Sequence, residues 1–205
     1  NASLLEFKKN HKKNKNQIIF HKADCKSNRI IENIINNFLI NKNSFIFESV
    51  EKRTIRGRYT IIGADPDKIW EFNKKKIFLI HNNKKKIIRK PPYEYLKKLI
   101  ENFSFKLPKN LPPICSLLVG YFSYDIIRYI ENIPDNCKDD LKIPDIRILR
   151  PKTIIIHDNL LKKIYYINNC FADEKIKNYK KYFQNLKKEI DELKTFTCEN
   201  NKILP

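Results

Sequence analysis

The sequence predicts an α+β fold, mostly antiparallel sheet in hairpins packed with a few helices. Two observations predict it. Between residues 45 and 89, short apolar runs alternate with the residue types that turns demand: Gly57, Gly63, Asp65-Pro66 and Asn82-Asn83. Runs of that length joined by such turns make hairpins, and hairpins make antiparallel sheet. Around them lie segments whose apolar residues recur at helical spacing.

Taken in order, residues 1–17 are polar and read as a disordered or tag-derived end. Ile18-Ile19-Phe20 is a short strand. From Ser27, a fair N-cap, the positions Ile30, Ile31, Ile34, Ile35, Phe38 and Leu39 form the stripe of an amphipathic helix. Strands follow at Phe45–Val50, Tyr59–Ile62, Lys68–Phe72, Ile77–His81 and Lys86–Arg89. Pro91-Pro92 opens a helix with Leu96, Leu99, Ile100 and Phe103 on its face. After a loop at 108–113, Cys115–Phe122 reads as an apolar strand buried on both sides. Ser123 caps a helix carrying Ile126, Ile127, Tyr129 and Ile130. A polar loop with Pro134 and Pro144 leads to strands Thr153–His157 and Lys163–Ile167, which flank Asp158-Asn159, a hairpin signal. Residues 175–194 form a helix with Ile176, Tyr179, Tyr182, Phe183, Leu186, Ile190 and Leu193 on one face. The segment from Thr195 to Pro205 loses periodicity and reads as linker.

At 205 residues with 41% hydrophobic content, the chain is long enough and apolar enough for a packed core. No apolar run approaches the roughly 20 residues that span a bilayer. The start, NASLLEFKKNHKKNKNQ, turns polar at once and does not read as a signal peptide. Five cysteines at scattered spacings form no CxxC pair, which points to reduced thiols in a cytoplasmic protein. The net charge of +19 suggests a nucleic-acid-binding module as one reading. Against it, the excess is nearly all Lys, in short runs such as Lys74–Lys76 and Lys84–Lys86 that solvate turns. Lys, Asn and Ile together also follow from A/T-rich codons. Nucleic acid is therefore not the expected partner, nor is a membrane. His11, His21, His81 and His157 have no partner at ligand spacing, so no metal site is expected. The three glycines make no phosphate loop.

The most informative stretch is FIFESVEKRTIRGRYTIIGADPDKIW, residues 45–70. Glu48 and Ser49 stand side by side at the end of an apolar run. A carboxylate beside a hydroxyl can hold a zwitterion, the first by pairing with its ammonium and the second by hydrogen bonding. Ten residues separate Ser49 from a further hydroxyl, Thr60. Arg58 lies near enough in sequence to pair with Glu48, with a ligand carboxylate, or in a surface salt bridge. Thr60 is equally readable as a cross-strand Thr of the sheet.

Ile46-Phe47-Glu48-Ser49, ten residues, then Thr60 resembles the tryptophan-sensing element of the large subunit of anthranilate synthase, which reads Leu-Leu-Glu-Ser, ten residues, then Ser. Two further motifs support the resemblance. Gly57-Arg58-Tyr59-Thr60-Ile61-Ile62-Gly63-Ala64-Asp65-Pro66 is similar to that family's Gly-Arg-Tyr-Ser-(apolar)-(apolar)-Gly-x-x-Pro. Gly120-Tyr121-Phe122-Ser123-Tyr124-Asp125, with Arg128 and Glu131, resembles its Gly-Tyr-x-(Gly/Ser)-Tyr-Asp signature. Ile143-Pro144-Asp145 and the hairpin near His157-Asp158 follow in the expected order. Phe47 stands where Leu is usual and Thr60 where Ser is usual. The usual Thr-Pro ahead of the first helix is replaced by Ser27-Asn28.

The resemblance implies an amino-terminal domain at 18–168 and a connector helix with the start of a linker at 169–205. It also implies L-tryptophan as effector at Glu48, Ser49, Thr60 and Arg58. The whole enzyme of that family converts chorismate and ammonia to anthranilate and pyruvate, the ammonia coming from a glutamine amidotransferase subunit. Its larger carboxy-terminal, chorismate-binding domain holds Mg²⁺ and does the lyase chemistry. No cofactor, metal ligand or catalytic residue is expected within these 205 residues. Aminodeoxychorismate synthase, a chorismate-using relative, carries similar motifs and is the alternative. Gly120, Tyr121, Tyr124, Asp125, Arg128 and Glu131 read as structural: Asp125–Arg128 and Arg128–Glu131 are i, i+3 pairs that fix a helix after a strand.

Overall fold

The computed structural model describes residues 3–25, 28–38, 40–48, 57–134 and 138–195. In chain order the elements are α1 (Leu4–Lys12), β1 (Gln17–Asp24), α2 (Asn28–Phe38), β2 (Phe45–Phe47), β3 (Tyr59–Asn73), β4 (Lys76–His81), β5 (Lys84–Ile88), α3 (Pro92–Glu101), β6 (Val119–Phe122), a 3₁₀ helix (Tyr124–Tyr129), β7 (Ile146–Asp158), β8 (Lys163–Cys170) and α4 (Tyr179–Thr195). The sheet is antiparallel wherever its register is defined, and the α+β expectation holds. The chain divides into two compact units, one of residues 1–65, 105–116 and 152–205, the other of residues 66–104 and 117–151.

In the first unit the strand order is β1-β8-β7-β3-β2. β1 and β8 pair from Gln17↔Cys170 to Asp24↔Lys163, and β7 and β8 form a hairpin from Thr153↔Asn168 to Asp158↔Lys163. One sheet face, with Ile19, Ile62, Ala64, Ile155 and Tyr166, packs under α1, α2 and α4. The helices present Phe7, then Ile31, Ile34 and Phe38, then Phe183, Leu186, Ile190 and Leu193, the i, i+3/i+4 stripes their sequences carry. Burying each such side chain contributes about 1.5–3 kcal/mol.

The second unit holds the order β6-β7-β3-β4-β5. Its small core is Trp70, Phe72, Ile77, Ile146 and Ile148, with Leu96 and Leu99 of α3 packed against it. Both of its consecutive hairpins use two-residue turns with positive φ: Lys74-Lys75 at 46° and 63°, and Asn82-Asn83 at 50° and 58°. Asn tolerates that region and Lys does so poorly. The lysine turn is held from outside. The Lys74 N–H donates to Asp145 Oδ2 at 2.8 Å, the Lys75 N–H to Tyr129 Oη at 3.2 Å, and Tyr129 itself donates to Asp145 at 2.8 Å. Asp145 belongs to the Ile143-Pro144-Asp145 motif, whose role is thus to pin this turn.

Several sequence expectations are corrected. Residues 3–17 are not disordered: α1 is capped by Ser3, whose hydroxyl accepts the Glu6 N–H at 3.3 Å, and Phe7 is fully buried. The two strands expected at Tyr59–Ile62 and Lys68–Phe72 are one strand, because Asp65 absorbs the irregularity in a single left-handed residue (φ 52°) without ending the strand. The expected strand at Cys115–Phe122 begins only at Val119, since the chain turns just before it, with the Cys115 N–H on the Pro112 carbonyl at 3.1 Å. It is not buried on both sides either; beyond Val119 its residues are exposed. The strand expected from Thr153 starts seven residues earlier, at Ile146, and the last helix starts at Tyr179 instead of 175, with Asn178 Oδ1 accepting the Lys181 N–H at 3.0 Å. The helix after Ser123 is a 3₁₀ turn, and Ile100 of α3 is exposed. The proposed Ser27 cap lies outside the described residues.

Candidate functional site at the Gly57–Thr60 segment

Pairing between β2 and β3 runs Phe45↔Gly63, Ile46↔Ile62, Phe47↔Ile61. Ile46 therefore shares the core face with Ile62, while Phe45 and Phe47 lie on the other, their rings 5.3 Å apart. Gly63 makes room for Phe45: a Cβ there would sit 2.2 Å from the Phe45 ring. Thr60 falls two residues before Ile62, on the same face, and is 3% exposed. The pairing ends at Phe47↔Ile61, and Glu48, the next residue, is exposed.

The turn between β7 and β8 meets this strand end. Asp158 Oδ1 accepts the N–H groups of Leu160 and Leu161 at 3.1 and 3.0 Å, so the carboxylate closes its own turn. Arg58 clasps the same carboxylate, with Nε 3.1 Å from each oxygen and Nη2 2.7 Å from Oδ2. The Asp158 side chain is 1% exposed, that of Arg58 32%. Burial works against the Asp158 charge, but the Arg58 guanidinium and the two N–H groups outweigh it and hold the carboxyl below its usual range. The hydrogen bond to Asp158 in turn raises Arg58, which also lies over the Tyr59 ring at 4.9 Å.

Asn159 completes the junction. Its N–H donates to the Arg58 carbonyl at 2.8 Å, and its side-chain amide reaches the Gly57 carbonyl and the Thr60 hydroxyl, each at 3.4 Å. Two neighbouring hairpin residues thus hold Gly57, Arg58 and Thr60 by both main chain and side chain. Next to them His157 is buried, and burial lowers its pKa.

Of the four residues expected to bind an effector, Arg58 and Thr60 are both held by the Asp158-Asn159 hairpin, Glu48 is exposed, and Ser49 lies outside the described residues. Arg58 takes Asp158 as its partner, in place of the Glu48 or surface pairing the sequence suggested. Asp158 and Asn159 were legible only as turn residues; nothing local in sequence tied them to a segment about 100 residues earlier.

The second motif behaves differently. Gly120 lets β6 approach β7 closely, since a Cβ there would lie 1.9 Å from the Arg147 carbonyl oxygen. Tyr121 is 38% exposed and Tyr124 91%. Arg128 pairs with Asp125 at 3.0 Å as expected. It also donates to the Ile133 carbonyl at 3.0 Å and to that of Pro134, so it ties down the loop after the 3₁₀ helix. Glu131 is exposed.

Among the described residues no group of three or more His, Cys, Asp and Glu is placed to hold a metal ion. No helix among them is long and apolar enough to cross a membrane. Cys25, Cys115 and Cys170 are buried and form no disulfide, and burial pushes the Cys115 thiol up to about 11 and that of Cys170 to about 12.

The ordered motifs of this antiparallel sheet agree with a family match. The model described as chorismate binding enzyme matches residues 42–202, more than half of the chain, and the chain belongs to that family. Anthranilate synthases are among the proteins it is similar to. Anthranilate synthase component 1 of Cereibacter sphaeroides is 26% identical over 94% of this chain and 40% of its own length. The chloroplastic anthranilate synthase alpha subunit 1 of Arabidopsis thaliana is 31% identical over 73% of this chain and 27% of its own. The fold is shared with the crystal structure of anthranilate synthase component I from Streptococcus pneumoniae TIGR4, at TM-score 0.53 and 20% identity over 71% of this chain and 32% of that one. The chain thus spans about a quarter to two fifths of the length of the relatives it matches.

Proposed function

We propose that this chain is the amino-terminal regulatory region of an anthranilate synthase component I, and that it senses L-tryptophan through Glu48, Ser49 and Thr60. What supports this reading is the motif itself, Glu48-Ser49, ten residues, then Thr60, together with the burial of Thr60 two residues before Ile62 of the apolar core. An indole needs apolar walls, and its amino-acid head needs a few fixed polar groups. The reaction proposed for the whole enzyme, chorismate and ammonia to anthranilate and pyruvate, is the one the resemblance to anthranilate synthase implies, and the similarity to anthranilate synthase components supports it.

In this reading the chorismate- and Mg²⁺-binding lyase site lies in a carboxy-terminal domain of the same protein. The ammonia comes from a glutamine amidotransferase subunit, and the enzyme works in the cytoplasm. Tryptophan inhibits by binding preferentially to a low-activity arrangement of the enzyme, since a ligand shifts an equilibrium only through differential affinity. The test is inhibition of anthranilate formation by tryptophan in the whole enzyme. Ser49→Ala and Glu48→Gln are expected to leave uninhibited turnover intact and to weaken inhibition about tenfold or more. Wild-type enzyme indifferent to tryptophan, or variants inhibited like wild type, would overturn the proposal.

A further inference from the structure

We infer that Asp158 and Asn159 are positioning residues for the effector response: their hairpin fixes Arg58 and Thr60, and through them the polar end of the tryptophan site. This rests on the reading of that site given above and adds two residues that touch no ligand in it.

Three features support the inference. First, Arg58 is committed: both oxygens of a 1%-exposed carboxylate face two of its nitrogens. An arginine already neutralised this closely offers little net charge to a ligand carboxylate. It serves as a strut, and the amino-acid head of a ligand must be met by other groups. Second, Asp158 is itself oriented from behind. Oδ1 is held by the N–H groups of Leu160 and Leu161, so the carboxylate cannot follow Arg58 if the segment moves. Third, Asn159 grips the same segment at independent points, the Arg58 carbonyl through its main chain and the Gly57 carbonyl and Thr60 hydroxyl through its side chain. The amide N–H on Thr60 Oγ1 leaves the hydroxyl hydrogen free to donate elsewhere, so Asn159 sets the direction in which Thr60 donates. The bonds that make this junction join β3 to residues about 100 positions later, as expected where a loop is built to hold a site and not merely to close a hairpin.

The experiment measures anthranilate formation by the whole enzyme against tryptophan concentration for wild type, Asp158→Asn and Asn159→Ala. The tryptophan concentration for half-inhibition is expected to rise about tenfold in Asp158→Asn, within the range of ordinary allosteric coupling, and by a smaller factor in Asn159→Ala. The KM for chorismate and the uninhibited kcat stay within about twofold, a split that general loss of structure would not produce. If Asp158→Asn does not accumulate as folded protein, Asn159→Ala alone decides. A half-inhibition concentration unchanged in the folded variants, while wild type responds, would overturn the inference and leave the tryptophan site standing. A wild type that does not respond would overturn both.

Discussion

The two family motifs resemble each other on paper: each is a glycine, a tyrosine, a hydroxyl residue and a charged pair within about a dozen positions. In the folded chain they differ. The Gly57–Pro66 motif is interior, with Thr60 3% exposed, Ile62 1% and Ala64 fully covered, and its arginine is locked to a buried carboxylate. The Gly120–Glu131 motif is largely at the surface, with Phe122 54% and Tyr124 91% exposed, and its arginine serves local loop carbonyls. The arginine of the first joins parts of the chain 100 residues apart; the arginine of the second acts only on residues 125–134 in the bonds described above. A charged residue in a motif is therefore best understood through its partner's burial and sequence distance, not through the motif's shape.

Substitutions can break or sharpen this contrast. Ile62→Ala should cost about 3 kcal/mol, because it empties a fully buried position between sheet and helices, and chemical denaturation would register it as a lowered midpoint. Gly120→Ala should cost somewhat less, about 2–3 kcal/mol, as the strands must separate to admit a methyl group against the Arg147 carbonyl; this is the one position where the surface motif should behave like the interior one. Asp158→Ala should cost about 2 kcal/mol through loss of two turn N–H acceptors and the arginine's partner. Tyr124→Ala should stay within about 0.5 kcal/mol of wild type. An equal cost for Ile62→Ala and Tyr124→Ala would remove the distinction.

Acid should act on the interior side. His157 and His21 both have pKa values lowered in the fold, by burial first, so the unfolded chain binds protons that the folded chain refuses. Their contribution to stability is complete above about pH 6.5, the unfolded value, and is lost as pH falls below it toward their folded values. Asp158, also lowered, adds a second loss further down, below about pH 4. Thermal melts between pH 7.5 and 5 should show a falling Tm, with a shallower fall in His157→Gln. An unchanged slope in that variant would place the titration elsewhere.

Much of this architecture was legible in the sequence. Helices α2, α3 and α4 followed from apolar stripes, and the β7–β8 hairpin from Asp158-Asn159 between two apolar runs. What escaped had physical causes. α1 was hidden because its only deep apolar contact is Phe7, with His11 completing the buried face and donating or accepting at Tyr179 Oη, 2.9 Å away; five lysines among residues 8–15 masked that sparse stripe. β3 looked like two strands because Gly63 and Asp65-Pro66 read as a turn, whereas the neighbouring strands carry pairing past them. At the candidate site, Arg58 and Thr60 were identifiable from the motif, but Asp158 and Asn159 become their partners only through the register of the fold.

Calorimetric titration of L-tryptophan, into the whole enzyme and into this chain alone, tests the central claim most directly. The whole enzyme should bind tryptophan with an affinity lost in Ser49→Ala; on the proposal that the carboxy-terminal domain completes the pocket, this chain alone should bind weakly or not at all. Submillimolar binding by the isolated chain, abolished by Ser49→Ala, would show a self-sufficient site and contradict the shared pocket; no binding by the whole enzyme would contradict the effector site itself.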